Sequence, residues 1–248
     1  QEYLNQADKI ICISENTKID LLNYYKVNEK KITVIPLGHP SNKEIEAVDE
    51  SIFFKPFILY VGDRNNYKNF KRFIKAYANS KVLKENFNIV CFGGEKLSEE
   101  EKKFLNEEKI DLKNITLLNG NDQKLNFLYK KASLYVCPSL YEGFGLTILE
   151  AMNMDCPIIA SETSSLKEIG KNKIEYFDPK SIEDMQIKIE KLIFDKEKKN
   201  KMISEYSEYL RRLGEIGSKA ISSPKDEEMY EAVRLLSILK ENPNSSKE

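Results

Sequence analysis

The sequence predicts an α/β fold: a Rossmann-like, doubly wound parallel sheet followed by C-terminal helices. Three observations predict it. Short β-branched runs alternate with amphipathic stretches along most of the 248 residues, the signature of strand–helix repeats. Most of these runs are apolar throughout rather than alternating, which fits parallel strands covered by helices on both faces. Glycine-bearing or polar turns follow several of the strands at residues 62–68, 93–94, 120–122 and 142–145, and in doubly wound sheets ligands bind at the carboxyl ends of the strands.

In chain order, strands are expected at residues 9–14, 31–35, 57–61, 87–92, 114–118, 133–137, 157–160 and 174–177, with helical patterns between them. Residues 1–36 carry only one β-α-β element, too little to fold alone, so they read as the remnant of a preceding domain or as a segment that packs on the main one. Residues 37–56, bounded by Pro36, Gly38, Pro40 and Pro56 and rich in acidic side chains, read as a linker. Residues 57–194 form the main domain. Beyond Ser181 the pattern is wholly helical, with helices expected at 181–194, 195–213 and 225–240, a break over 214–224, and a disordered tail at 241–248.

Composition narrows the function. Charged residues make up 32% of the chain but nearly balance at a net charge of −1, which argues against a broad nucleic-acid surface while permitting a local basic pocket. The four cysteines, Cys12, Cys91, Cys137 and Cys156, lie in or beside apolar strands without CxxC spacing, so they read as buried thiols; no metal site is expected. No run of eighteen apolar residues spans a membrane, leaving peripheral association at most. The chain begins at Gln1, which reads as a fragment or a processed product.

The most informative stretch is residues 141–152, where Glu142 and Glu150 lie eight positions apart around Gly143-Phe144-Gly145-Leu146. A strand ends before it and a helix is expected over 146–152, so the glycines sit on a strand-to-helix turn. The first N–H groups of a helix lack intrahelical partners and carry the positive end of its dipole, which suits an anionic or polyhydroxy ligand. Glu142 would stand at the mouth of such a site; it would equally serve as a helix cap. Glu150 sits among Leu149, Ala151 and Met152, where a carboxylate needs hydrogen-bond donors, whether from a ligand or from the protein. Two carboxylates also suit a glycoside hydrolase, which sets such a pair roughly 5–10 Å apart.

The strand end at Tyr60-Val61-Gly62 leads into a loop carrying Arg64 and Lys68. A planar guanidinium and a point-charge ammonium together would neutralise a diphosphate, although basic pairs are common in a chain with 39 Lys and Arg. Gly93-Gly94 permits close backbone approach, and the hydroxyls of 161–165 read as helix caps. His39, the sole histidine, reads as structural.

Together these segments resemble the donor-binding, C-terminal half of glycosyltransferase family 4, retaining enzymes of the GT-B fold. The resemblance runs from Ala7-Asp8-Lys9-Ile10-Ile11-Cys12-Ile13-Ser14, through Val34-Ile35-Pro36-Leu37-Gly38, to about Phe194. It is most specific at Pro138-Ser139-Leu140-Tyr141-Glu142-Gly143-Phe144-Gly145-Leu146 and Leu149-Glu150-Ala151-Met152, while Tyr67-Lys68-Asn69-Phe70 is similar to the version in bacterial mannosyltransferase-like enzymes of polysaccharide assembly. The resemblance implies hexosyl transfer from a UDP- or GDP-linked sugar to a glycan or lipid-linked acceptor, metal-independent and without a further cofactor. It implies that Glu142 contacts the transferred sugar, that Arg64 and Lys68 hold the diphosphate, and that Gly62 and the Gly143, Phe144, Gly145 and Leu146 backbone line the donor site. Glu150 would hold the ribose, and the loop with Gly120 and Asn121 would contact the base. A cytoplasmic enzyme, at most peripheral at the inner face of the membrane, is implied as well. Nearly all of the family's first Rossmann domain has no counterpart in this chain, and residues 214–248 match no family feature. The alternative is a non-catalytic nucleotide-sugar-binding subunit whose partner chain or separate N-terminal domain completes the enzyme.

Overall fold

A computed structural model describes residues 2–38, 43–64 and 66–221. The chain opens with α1 (Glu2–Gln6), β1 (Ile10–Cys12), α2 (Glu15–Tyr24) and β2 (Ile32–Val34), and β1 pairs with β2 in parallel, Ile10 opposite Ile32. The main body follows as β3 (Phe57–Val61), α3 (Phe70–Asn79), α4 (Lys81–Asn86), β4 (Asn88–Phe92), α5 (Glu99–Glu107), β5 (Ile115–Leu118), α6 (Asp122–Lys131) and β6 (Leu134–Cys137). It ends with α7 (Leu146–Asn153), β7 (Ile158–Ser161), α8 (Ser164–Gly170), β8 (Glu175–Phe177), α9 (Ile182–Phe194) and α10 (Lys196–Ile221).

Strands β3 to β8 form one six-stranded parallel sheet in the order β5-β4-β3-β6-β7-β8. From β3 the chain steps outward to β4 and β5, then α6 carries it back so that β6 lies on the other side of β3, with Leu59 opposite Tyr135. The winding reverses between β3 and β6, and in open α/β sheets that switch point opens a crevice at the carboxyl ends of the strands.

The apolar runs are buried on both faces, as their patterning requires: Ile58, Leu59, Ile89, Val90, Leu134, Val136, Ile158 and Ile159 have no exposed surface. Each such aliphatic side chain contributes roughly 1.5–3 kcal/mol of burial free energy. Phe70, Phe73, Ile74 and Tyr77 follow helical spacing along α3 and bury the stripe that packs against α9. All four cysteines are buried, and burial pushes the Cys91 thiol up to about 12.

The N-terminal segment packs on the main body through α2 and α8. Residues 44–46 of the linker lie across the start of α6, where the Glu46 N–H donates to the Gln123 carbonyl at 3.2 Å and Asn126 donates to the Glu44 carbonyl at 3.0 Å. One expectation is corrected. The chain does not break at Gly214, because α10 runs on through it to Ile221. Met202, Tyr206, Tyr209 and Leu210 bury a long face of this helix, which packs against α7 and α9, and its two internal glycines, Gly214 and Gly217, cost only about 1 kcal/mol each. The helix expected at 225–240, the tail at 241–248 and His39 lie outside the described residues. No described helix is long and apolar enough to cross a membrane.

Candidate functional site

Two loops meet at the switch point: the one after β3 and the one after β6. Gly62 opens the first at φ +116°, a conformation that L side chains rarely adopt, and its N–H donates to the Phe92 carbonyl of β4 at 2.8 Å. A side chain there would also meet Lys68, whose Cε stands 3.5 Å from where a Cβ would be. The Leu140 N–H donates to the Tyr67 carbonyl at 2.7 Å and ties the two loops together.

Asn69 fixes the geometry from beneath. It is 3% exposed and left-handed at φ 60°, which asparagine tolerates better than most residues. Its Nδ2 donates to the carbonyls of Pro138 and Pro179, both at 2.9 Å, so one amide group joins the loops after β3, β6 and β8.

Over this base Lys68 Nζ donates to Glu142 Oε1 at 2.6 Å, and Ser139 Oγ donates to the same oxygen at 2.7 Å. Both charged side chains are 17% exposed. Burial depresses the Lys68 pKa, but the hydrogen bond and charge of Glu142 outweigh it and hold the ammonium above its ordinary value.

The backbone around Glu142 is held on every side. Its N–H donates to Ser164 Oγ at 3.1 Å and its carbonyl accepts from Ser165 Oγ at 2.7 Å. The Gly143 carbonyl accepts from Ser14 Oγ at 2.8 Å and from Thr17 Oγ1 at 3.1 Å, both 126 or more residues away in sequence. Gly145 then caps α7 at φ +93°, where a Cβ would come 2.9 Å from Leu166 Cδ2. No side chain caps this helix, and the N–H groups of residues 143–147 have no partner among the described residues. Backbone donors without partners at the start of a helix suit an anionic ligand.

The remaining expected residues lie farther out. Glu150 sits on α7, half-buried, and accepts from the Tyr129 hydroxyl of α6 at 3.3 Å, so the donor its surroundings demanded comes at least partly from the protein. Glu142 precedes α7 rather than lying on it. Arg64 turns toward α5: Nε donates to Glu101 Oε1 at 2.6 Å and Nη2 to the Glu95 carbonyl at 2.7 Å. Only Nη1 is unengaged; it is buried and lies 3.1 Å from where a Cβ on Gly94 would stand. Burial lowers the Arg64 pKa and the Glu101 hydrogen bond and charge raise it, with the net effect upward. Asn121 caps α6 by accepting from the Lys124 N–H at 3.0 Å and donates to Glu46 at 2.8 Å, while Lys124 lies over Gly120. Beside them, a cavity of about 230 Å³ opens between the linker and the ends of β4 and β5, lined by Glu46, Val48, Phe92, Leu118, Asn119 and Lys124.

The structure thus brings Gly62, Lys68 and Glu142 together at the head of the 143–146 turn, while Arg64 turns to α5, Glu150 to α6, and Gly120 and Asn121 to Lys124 and the linker. Sequence reasoning missed Ser14, Thr17, Asn69, Glu101, Ser139, Ser164 and Ser165. Ser139 and Asn69 are adjacent to motif residues and were within reach; Ser164 and Ser165 read as caps, and the structure gives them to Glu142 instead.

The family model for "Glycosyl transferases group 1" matches residues 43–208. Among curated proteins, the chain is 28% identical over 213 residues to the O-antigen chain mannosyltransferase RfbU of Salmonella typhimurium, covering 84% of this chain and 56% of that protein. It is 24% identical over 192 residues to O-antigen chain mannosyltransferase B of Escherichia coli, covering 73% and 50%. Among solved structures, a glycosyltransferase from Rickettsia africae superposes with a TM-score of 0.74 at 20% identity, covering 94% of this chain and 66% of that one. HepE of Anabaena, solved with UDP and glucose, superposes at 0.75 with 15% identity, covering 88% and 63%. The chain spans about half the length of these curated relatives.

Proposed function

Since the chain belongs to the group 1 glycosyl transferases, we propose that it supplies the donor-binding half of a retaining, metal-independent hexosyltransferase. The donor is a UDP- or GDP-linked sugar and the acceptor a glycan or lipid-linked glycan, as in polysaccharide assembly; the names of the O-antigen mannosyltransferases support that class. The observation that carries the reading is the Lys68–Glu142 pair at the switch point, at the head of a turn whose next five backbone N–H groups lack protein partners among the described residues.

In this reading the nucleoside diphosphate lies along the turn. An ammonium has three donors, and Glu142 takes one, so Lys68 can hold the carboxylate and a phosphate together. As the sugar–phosphate bond breaks, negative charge grows on the leaving diphosphate, and the preorganised ammonium and N–H groups stabilise it without reorganisation. Glu142, steadied by Ser139 and Lys68, accepts hydrogen bonds from the transferred sugar. Glu150 accepts from the ribose hydroxyls, while Arg64, held by Glu101 and the Glu95 carbonyl, adds its positive charge on the diphosphate side of the β3 loop without a direct bond. Gly120 and Asn121 border the base. The same reading places the reaction on the cytoplasmic side, with peripheral membrane contact at most.

The test is calorimetric titration of the chain with UDP, GDP and the corresponding nucleosides. Micromolar binding of one diphosphate, lost in Lys68→Ala while nucleoside binding persists, is the expected result; equal losses for both would refute the phosphate role of Lys68. Because the chain spans about half of its relatives, a second reading stands beside this one: binding without transfer until a further domain or chain is added. Donor binding without nucleotide release toward any acceptor would support it.

A further inference from the structure

We propose that Ser14 and Thr17 are positioning residues that set the donor-gripping conformation of the glycine turn from outside the domain that carries it. The inference rests on the donor-site reading above and assigns work to the N-terminal segment. Ser14 is fully buried and caps α2 by accepting the Thr17 N–H at 3.0 Å. The two hydroxyls are 2.8 Å apart and both reach the Gly143 carbonyl. Each hydroxyl has one proton, so two of these three contacts form at once, and the arrangement that satisfies the carbonyl's two lone pairs has both donating to it.

A trans peptide holds C=O and N–H in one plane, pointing in opposite directions. With the Gly143 carbonyl held by α2, the Phe144 N–H must point away from α2. With the Glu142 carbonyl held by Ser165, the Gly143 N–H must point away from α8. Gly143 has no Cβ and nothing within 4 Å of where one would stand, so on its side of the peptide neither packing nor a restricted φ opposes turning over. The two hydroxyls do. Glu168 seats the same helix by accepting the Glu15 and Asn16 N–H groups at 3.0 and 3.2 Å, and Tyr141 donates to Asp20 at 2.6 Å from the loop itself. The segment 1–36 therefore reaches the site through a defined latch.

Thr17→Val removes one donor at constant shape, and Thr17→Ser restores it. In the unliganded chain, the population of the turned-over peptide, read as conformational exchange at the Gly143, Phe144 and Gly145 amides by NMR relaxation dispersion, should rise roughly fivefold in Thr17→Val and return in Thr17→Ser. Titration should show affinity for the nucleoside diphosphate falling by a similar factor, with nucleoside affinity unchanged, and a steeper loss in Ser14→Ala/Thr17→Val. If Ser14→Ala proves unstable because it also removes the cap, the threonine pair alone carries the test. An unchanged population in a folded Thr17→Val chain overturns the latch, and a raised population with unchanged diphosphate affinity overturns its role. If the parent chain binds no nucleoside diphosphate, the donor-site reading fails and the positioning role falls with it.

Discussion

Arg64 and Lys68 leave the same strand end four residues apart, and each closes a 2.6 Å ion pair with a glutamate, yet the two pairs belong to different parts of the molecule. Arg64 reaches α5, where Glu101 also accepts the Ser98 N–H in a capping box, so the guanidinium fastens the β3 loop to a helix start. It is the more buried cation, 5% exposed against 17%, and two of its three nitrogens are engaged. Lys68 reaches across the switch point to a carboxylate on another loop, beside backbone donors that lack protein partners among the described residues. A charge committed to carbonyls and caps holds structure; under the proposed function, one that keeps spare donors beside amides without partners among the described residues holds the ligand.

Exchanging the two cations for alanine is the sharpest way to break that contrast. Lys68→Ala should cost roughly a hundredfold in nucleoside diphosphate affinity, read by calorimetry, and, since it too leaves a partly buried glutamate without its cation, should lower stability no more than Arg64→Ala does. Arg64→Ala should leave Glu101 partly buried without its partner, lowering stability by about 2 kcal/mol, or roughly 4–8 °C in thermal melts, and weakening binding far less. The opposite pattern would invert the assignment. Glu150→Gln should shrink the preference for ribo- over deoxyribonucleotides roughly tenfold and leave sugar discrimination intact. Smallest is the pH effect. Lys68 is held above its ordinary pKa of 10.5, so its charge and the pairing it supports are complete below that value and fade only as pH rises through the higher one. Diphosphate affinity measured from pH 8 to 11 should therefore show no lysine-dependent decline until above about 10.5; a decline near pH 9 in wild type that is absent in Lys68→Ala would contradict it.

Much of this was legible in the sequence because the relevant signals are local. Residues 57–61 read as a strand and form one, since five apolar residues beside a glycine turn leave few alternatives. The pairing of residues 62–68 with 142–145 follows from strand-end positions once the sheet is doubly wound. Long-range choices were not legible. Glu99, Glu100 and Glu101 are consecutive in α5, and nothing local says that the third faces Arg64 while the second faces Lys71. Ser14 looks like any helix cap, and it is one; its second bond, to Gly143 across 129 positions, leaves no local trace. Gly214 looked like a stop, but the buried tyrosines before it decide that α10 continues.

Asn69 sets a rule for anyone who would engineer this site. Because one side-chain amide fastens the loops after β6 and β8 to its own, those loops are not interchangeable parts. A loop transplanted from a relative to alter sugar choice must present a carbonyl at the position of Pro138 or Pro179, or the graft will leave a buried amide proton unmatched and loosen both neighbours. Aspartate would fit the space but offer no proton to either carbonyl, and glycine would accept the backbone but offer nothing at all. The practical unit of exchange is therefore the three loops with their asparagine, moved together.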